Sequence, residues 1–337
     1  MKIIVPMAGM GKRMRPHTLT VPKPLIPIAG KPIVQRLVED IAKVCNEPVE
    51  EVAFIIGRAF GDAVEKSLVA IAESVGARGT IVYQDEPLGT AHAILCARES
   101  LSGPLVVAFA DTLFKADFTL DSSVPGTIWV QKVADPKPFG VVKLNAEGQI
   151  TEFVEKPQEF VSDLAIIGIY YFQDGEYLRR ELQYLLDNDI KDKGEYQLTN
   201  ALENMKNQGT VFVPGQVTEW LDCGNKDATV FTNQRYLEYL RERGETLVSA
   251  SAKLVNSVLI EPVYVGANAV ITNSVVGPHV SVGDGVSISD SRLSNAIVQN
   301  GATVGNVVVS NSMIGNSASV VGTPNDLSLG DFNQLKI

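Results

Sequence analysis

Between Leu254 and Gly322 the chain carries only four charged residues, Glu261, Asp284, Asp290 and Arg292. Across the same stretch aliphatic residues recur at Val265, Ile271, Val276, Val282, Ile288, Leu293, Val298, Val304, Val309, Ile314 and Val320. The steps are six or five residues, as from Val265 to Ile271 and from Ile271 to Val276, with small residues, Gly and Asn between them. A sandwich of alternating strands needs period two and regular turn signals, which this pattern lacks. Hexapeptide-like repetition predicts a parallel β-helix instead, in which three short strands make one coil. Each coil hides its aliphatic residues only by stacking on its neighbours.

The half before this repeat has a different rhythm. Lys2 to Pro6 reads as a strand, Ile33 to Val44 as a helix, and Val52 to Ile56 as a strand. Ala63 to Ala72 reads as helix, Thr80 to Tyr83 as strand, Ala91 to Glu99 as helix and Leu105 to Phe109 as a buried strand. That alternation predicts an α/β fold with a doubly wound, mostly parallel sheet. From Thr127 to Phe172 strands follow one another without long helices, which predicts an antiparallel extension of the sheet. Helices are expected again over Tyr177–Leu186, Leu198–Lys206 and about Asp227–Arg243. At 337 residues two domains are the natural expectation, here 1–243 and 244–337.

Composition narrows the partners. A net charge of −10 repels phosphate backbones and anionic lipids, so neither nucleic acid nor membrane is an expected partner. Cys45, Cys96 and Cys223 form no CxxC pair, and His17, His92 and His279 show no i,i+4 spacing, so no zinc site is legible. The start MKIIVPMAGMGKR meets a charge too early for a signal sequence, and a cytoplasmic protein is expected. If the substrate is itself anionic, the cations that bind it must be concentrated locally.

They are concentrated after the first strand. Ordinary βα loops take ~2–6 residues, whereas this connection runs from Pro6 to Ile33, and a loop that long is usually functional. Gly9 and Gly11 allow backbone amides to approach a phosphate, and Lys12, Arg13 and Arg15 bring charge to the same place. Pro16, Pro22, Pro24, Pro27 and Pro32 stiffen the rest, and two of them bracket Lys23. In a doubly wound sheet ligands bind beyond the carboxyl ends of the strands. The residues there include Gln84, whose amide offers a donor beside an acceptor, and Asp111, an acid poorly placed for packing and well placed for a hard cation. The competing readings are bland: a solvated basic loop, an ordinary strand-end Gln84, and aspartates at 111 and 222 that cap the next segments of the chain. For Glu155 and Lys156 the bland alternative is an exposed strand-end ion pair.

From Gly9 to Pro32 the segment resembles the signature of the sugar-phosphate nucleotidyltransferases, Gly-Gly-x-Gly-Thr-Arg-x-x-Pro followed by Pro-Lys-Pro-Leu-x-Pro-x-x-x-Lys-Pro. Further matches run to Gly224, and the likeness is strongest to long-form glucose-1-phosphate thymidylyltransferases with a C-terminal left-handed β-helix. Ala8 replaces the first glycine and Lys12 the threonine. Uridylyltransferases often begin similarly, so the loop does not choose between dTTP and UTP. The resemblance implies an enzyme that transfers a nucleotidyl group to a hexose 1-phosphate, with Mg²⁺, as a homo-oligomer. It implies that Arg13 and Lys23 contact phosphates, that Gly9, Gly11, Gln84, Gly89 and Thr90 bind the nucleotide, and that Asp111 and Asp222 hold the metal. Gly140, Glu155, Lys156, Gly168 and Glu195 would bind the sugar phosphate, with Lys156 on its 1-phosphate. Thymidylyltransferases often carry Thr where this chain has Ile167. A silent regulatory subunit of the superfamily would typically lose the loop arginine or a metal aspartate, and this chain keeps them. A bifunctional enzyme acylating through the β-helix would rely on His279, which in a Gly-Pro-His turn is more often merely exposed.

Overall fold

A computed structural model describes residues 1–9, 11–115 and 118–323. The chain divides into two compact units, one of Met1–Ile26 with Lys31–Ala228, the other of Pro27–Gly30 with the chain from Thr229 on. The division falls earlier than the 243/244 boundary expected from composition, and residues 324–337 of the expected repeat domain lie outside the described residues. Composition groups the charged helix Lys226–Glu242 with the segment before it. Most of that helix nevertheless belongs to the second unit, where Asn233 accepts from Ser281 and Glu238 meets His279.

The first unit is an α/β sheet. Strands β1 (Lys2–Pro6), β2 (Glu51–Ile56), β3 (Arg78–Tyr83) and β4 (Leu105–Ala108) lie parallel in the order β3-β2-β1-β4. Helices α1 (Ile33–Val44), α2 (Asp62–Ser74) and α3 (Thr90–Cys96) connect them, close to the expected spans. Ile4, Ala53, Ile55, Leu105 and Val107 pack into one core with Ala91, Ile94 and Leu95 of α3. The alternate residues Ile3, Val5, Phe54 and Val106 are equally buried, so both faces of the sheet are covered, as parallel strands require.

The expected antiparallel part comes next in chain order. After a short strand β5 (Thr112–Lys115) come β6 (Gly126–Lys132), β7 (Val141–Leu144), β8 (Ile150–Val154) and the long β9 (Leu164–Phe172). Strand β9 runs antiparallel to β4, β6 and β7, with an irregular register between Ile166 and Tyr170. Gly168 sits in that irregularity at φ 89°, and its carbonyl accepts from Phe109 N–H at 2.9 Å. Helices α4 (Gly175–Asp187) and α5 (Leu198–Asn207) complete the same core through Leu178, Leu182, Leu185, Ala201 and Leu202. Then β10 (Phe212–Gln216) pairs parallel to β6, and β11 (Glu219–Asp222) pairs with β5 apart from the main sheet. Among the described residues no helix is long and apolar enough to cross a membrane.

The second unit is a stack of parallel coils. Leu254, Ile271, Ile288, Val304 and Val320 ride on one another in register, as do Leu259, Val276, Leu293 and Val309, and Val265, Val282, Val298 and Ile314. The interior is aliphatic, with Val265, Ile271, Val276, Val282 and Leu293 fully buried. Coil length is set at the corners. Asn256, Asn273, Asp290 and Asn306 all take positive φ between 47° and 53°, a backbone form that short polar side chains tolerate best. Asn256 donates to Asn273 and Asn273 to Asp290, at 3.0 and 3.1 Å, linking coils 17 residues apart. The scarcity of charge has the same origin, because a corner must turn left-handed and the interior must stay dry.

Ile288 sits between Ile271 and Val304 with 1% of its surface exposed. Ile288→Ala is expected to destabilise this unit by ~2–4 kcal/mol, read as a lower denaturant midpoint. Val308→Ala is expected to leave the midpoint unchanged, since Val308 is 82% exposed.

Candidate active site

Two short strands bring the distant aspartates together. Strand β5 begins right after Asp111 and β11 ends at Asp222; they pair antiparallel with Asp222 opposite Thr112, and Cys223 N–H donates to the Asp111 carbonyl at 2.9 Å. Neither strand is long, but the pairing fixes both carboxylates by main-chain bonds, which sequence separation alone would not do. Asp222 Oδ1 accepts from Gly224 N–H at 2.9 Å, while the next helix is capped by Asn225, whose Oδ1 accepts from Ala228 N–H.

Cations from the glycine-rich loop reach the same place. Lys23 Nζ donates to Asp111 Oδ2 at 2.7 Å, with Lys23 only 13% exposed. Gly11 makes this approach feasible: at φ 57°, a Cβ there would stand 2.8 Å from Lys23 Cβ. Thr18 Oγ1 donates to the Gly11 carbonyl and braces the turn. Arg13 draws near from the other side, its Nη2 lying 3.3 Å from where a Cβ on Gly224 would sit. Burial and the Asp111 carboxylate raise the Asp222 carboxyl above its ordinary value, against the smaller pulls of Gly224 N–H, Lys23 and Arg13. Two carboxylates brought this close, one of them reluctant to ionise, suit a hard divalent cation. Among the described residues no group of three or more His, Cys, Asp or Glu gathers around one point. Two aspartates suffice for an ion that takes its other ligands from phosphate oxygens and water.

A cleft of about 290 Å³ opens beside this cluster, lined by Gly9, Gly11, Lys23, Gln84, Gly89, Thr90, Asp111 and Glu195 among others. A second, of about 210 Å³, is lined by Gly140, Glu155, Lys156, Gly168 and Glu195, and shares Thr90, Phe109 and Glu195 with the first. The structure thus collects nearly every residue singled out from sequence into two adjoining clefts. Arg13 and Asp222 line neither; they stand with Asp111 at the charged cluster.

The wall between the clefts is a crossing of two loops. Gly89 has φ 118°, and a Cβ there would lie 2.4 Å from the Tyr196 carbonyl oxygen, so only glycine fits. Tyr196 N–H donates to the Leu88 carbonyl and Ala91 N–H to the Tyr196 carbonyl, both at 2.9 Å. Thr90 Oγ1 donates to Gln197 Oε1, and Gln197 Nε2 donates to Glu195 Oε2 at 3.0 Å. In the second cleft Glu155 Oε2 accepts from Thr199, and Glu155 Oε1 pairs with Lys156 Nζ at 3.3 Å. Lys156 holds φ 43°, and Lys193 Nζ donates to its carbonyl at 2.9 Å. The strand-end ion pair therefore exists and also lines the cleft, with Glu155 14% exposed.

Sequence reasoning missed Phe109, Tyr170, Gln197 and Thr199 on the walls, and Lys193 behind Lys156. Lys193 had a signal, since it directly precedes the Gly194–Glu195 pair. His92 has no metal-site spacing to mark it, yet its Nδ1 lies 3.1 Å from Gln84 Nε2. His279 is not simply exposed: its Nε2 meets Glu238 Oε1 at 2.6 Å, a partner in the preceding helix that sequence spacing does not announce.

A family model described as Nucleotidyl transferase matches residues 2–238. A glucose-1-phosphate thymidylyltransferase of Streptomyces griseus is 27% identical over 100% of this chain and 99% of its own length. The catalytic subunit beta of a mannose-1-phosphate guanylyltransferase of Xenopus tropicalis is 32% identical, covering 78% of this chain and 72% of its own. A UDP-glucose pyrophosphorylase solved with UDP-glucose superposes with a TM-score of 0.58 at 24% identity, over 71% of this chain and 98% of its own, and shares the fold.

The raised Asp222 carboxyl has a measurable consequence. The unfolded chain releases that proton at lower pH than the fold does, so its contribution to stability is present below the ordinary carboxylate range and is lost as pH climbs through the raised value. With a chelator present, Asp222→Asn is expected to melt higher than the parent at pH 7, and the gain is expected to vanish below the carboxylate range. Calorimetry at the two pH values checks it.

Proposed function

The chain belongs to the nucleotidyl transferase family, and from that premise we propose that it joins a nucleoside triphosphate, dTTP or UTP, to a hexose 1-phosphate, with glucose 1-phosphate foremost. The products are a nucleoside diphosphate sugar and pyrophosphate. The observation that carries this reading is the β5–β11 pairing, which holds Asp111 and Asp222 side by side with Lys23 and Arg13 at the mouth of a two-part cleft. Full-length likeness to a glucose-1-phosphate thymidylyltransferase supports the choice of sugar and base.

In this reading the triphosphate lies along the first cleft, its phosphates over the amides near Gly9 and Gly11 and its base against Gln84 and Gly89, beside Thr90. The sugar phosphate fills the second, with Lys156 on the 1-phosphate, Glu155 and Glu195 accepting from sugar hydroxyls, and the backbone at Gly140 and Gly168 leaving room for the ring. A 1-phosphate oxygen attacks the α-phosphorus in line, and the bond to the β-phosphate's bridging oxygen breaks as pyrophosphate leaves. Mg²⁺, which Asp111 and Asp222 would hold, supplies charge neutralisation on the phosphate oxygens. Lys23 has a second role here. Its bond to Asp111 keeps a cation between the carboxylates and the loop, and on substrate binding the ammonium is free to turn from carboxylate to phosphate. Arg13 offsets charge that grows on the leaving group. Such transfers are catalysed mainly by positioning and electrostatics, which fits a site built from loop cations and paired carboxylates.

A pyrophosphate-release screen of several triphosphates against several sugar 1-phosphates tests the reading, and no release from any pair would sink it. Arg13→Ala is expected to lower kcat by ~10²–10³, the usual loss for one electrostatic stabiliser. Asp111→Asn is expected to abolish turnover with an unchanged circular-dichroism spectrum.

A further inference from the structure

Gln84 is not free to present either end of its amide. Its Nε2 lies 3.1 Å from His92 Nδ1 and 3.4 Å from the Gly89 carbonyl oxygen. A carbonyl only accepts, so the atom turned toward Gly89 has to be the amide nitrogen. That nitrogen only donates, so His92 Nδ1 must accept, and the neutral ring then carries its proton on Nε2. Burial, which disfavours the charged ring, lowers the His92 value from the ordinary one, while the Glu86 carboxylate and main chain pull the other way. Among the described residues no donor meets the amide's other end, Oε1, which is left for a ligand in the cleft that Gln84 lines.

We infer that His92 is a positioning residue for base selection: by accepting from Gln84 Nε2 it holds Oε1 as an acceptor facing the base. This deepens the nucleotidyl-transfer reading and rests on it. Uracil and thymine offer an N–H at the imino position and match that acceptor. Cytosine offers a lone pair there and opposes it. Without His92 the amide can turn over and offer its nitrogen, since the bond to the Gly89 carbonyl is long and resists weakly. Phosphate contacts elsewhere in the cleft do not depend on which way the amide faces, so the effect belongs to selectivity.

The test compares kcat/KM for UTP with that for CTP, using glucose 1-phosphate, in the full chain. His92→Phe keeps a ring and removes the acceptor; the UTP preference is expected to fall ~10-fold, through KM, with kcat for UTP nearly unchanged. His92→Asn restores an acceptor oxygen near the position of Nδ1, and the preference is expected to return. A preference unchanged in His92→Phe, or lost equally in His92→Asn, overturns the role of His92. Should His92→Phe fail to fold, His92→Leu serves in its place, and a lost preference in His92→Asn is still decisive. A parent chain that releases pyrophosphate from no triphosphate overturns the underlying reading, and this inference with it.

Discussion

Two carboxylates of like charge, far apart in the chain, are held within reach of each other. Left to themselves Asp111 and Asp222 would separate, and the Asp222 carboxyl is raised first by burial and then by that opposition. What holds them is main chain: the antiparallel β5–β11 pair and the bond from Cys223 N–H to the Asp111 carbonyl. What makes them tolerable is charge of the other sign, with Lys23 bonded to Asp111 and Arg13 acting on Asp222. The remainder of the site is arranged around this point. The glycine-rich loop is stiffened so that Lys23 arrives, and Gly11 lacks a side chain because Lys23 passes where one would be.

The same economy of position explains how a chain with a net charge of −10 can host anions. Repulsion between exposed charges is screened within ~8–10 Å, so the global sign matters less than the few cations lining a cleft. Lys23 and Arg13 come from the glycine-rich loop and Lys156 from the turn after β8, and Lys193 braces Lys156 from behind by donating to its carbonyl. The wall that divides the clefts is itself a hydrogen-bonded crossing, running from Gly89 and Thr90 to Tyr196, Gln197 and Glu195. A displacement of either loop would therefore move both halves of the site together.

Much of this was legible in the residues. The β-branched runs after each helix located the parallel strands, the repeat of Val265, Ile271 and Val276 announced the coils, and the bracketing of Lys23 by proline marked the loop. The pairing of β5 with β11 was not legible, because each is a four-residue strand and nothing local in Thr112–Lys115 names Glu219–Asp222 as its partner. The bond from Lys23 to Asp111 was not legible either, since a lysine's partner depends on what the fold brings near. His92 went unseen for a related reason. Its importance comes from Gln84, eight residues away across a loop, and neither residue advertises the other. Composition also drew the domain limit at the end of a charged helix, whereas Asn233 and Glu238 tie that helix to Ser281 and His279.

The two units solve the burial of polar groups in opposite ways, and that contrast explains where chemistry can reside. In the coils the polar side chains serve the stack: corner residues at positive φ turn the chain, and Asn256, Asn273 and Asp290 bond one another from coil to coil. Repetition satisfies most of this ladder, although Asn295 Oδ1 and Gln299 Nε2 are buried with no hydrogen-bond partner among the described residues. In the α/β unit the polar groups near the clefts are paired in two ways: Lys23 with Asp111 and Lys156 with Glu155 as ion pairs, and Gln84 with His92 as a bond that fixes the amide. In the proposed reaction the two lysines turn toward phosphate, while the Gln84 amide keeps the orientation that His92 gives it. Ion pairs of this kind on a rigid sheet can bind polyanions and release them.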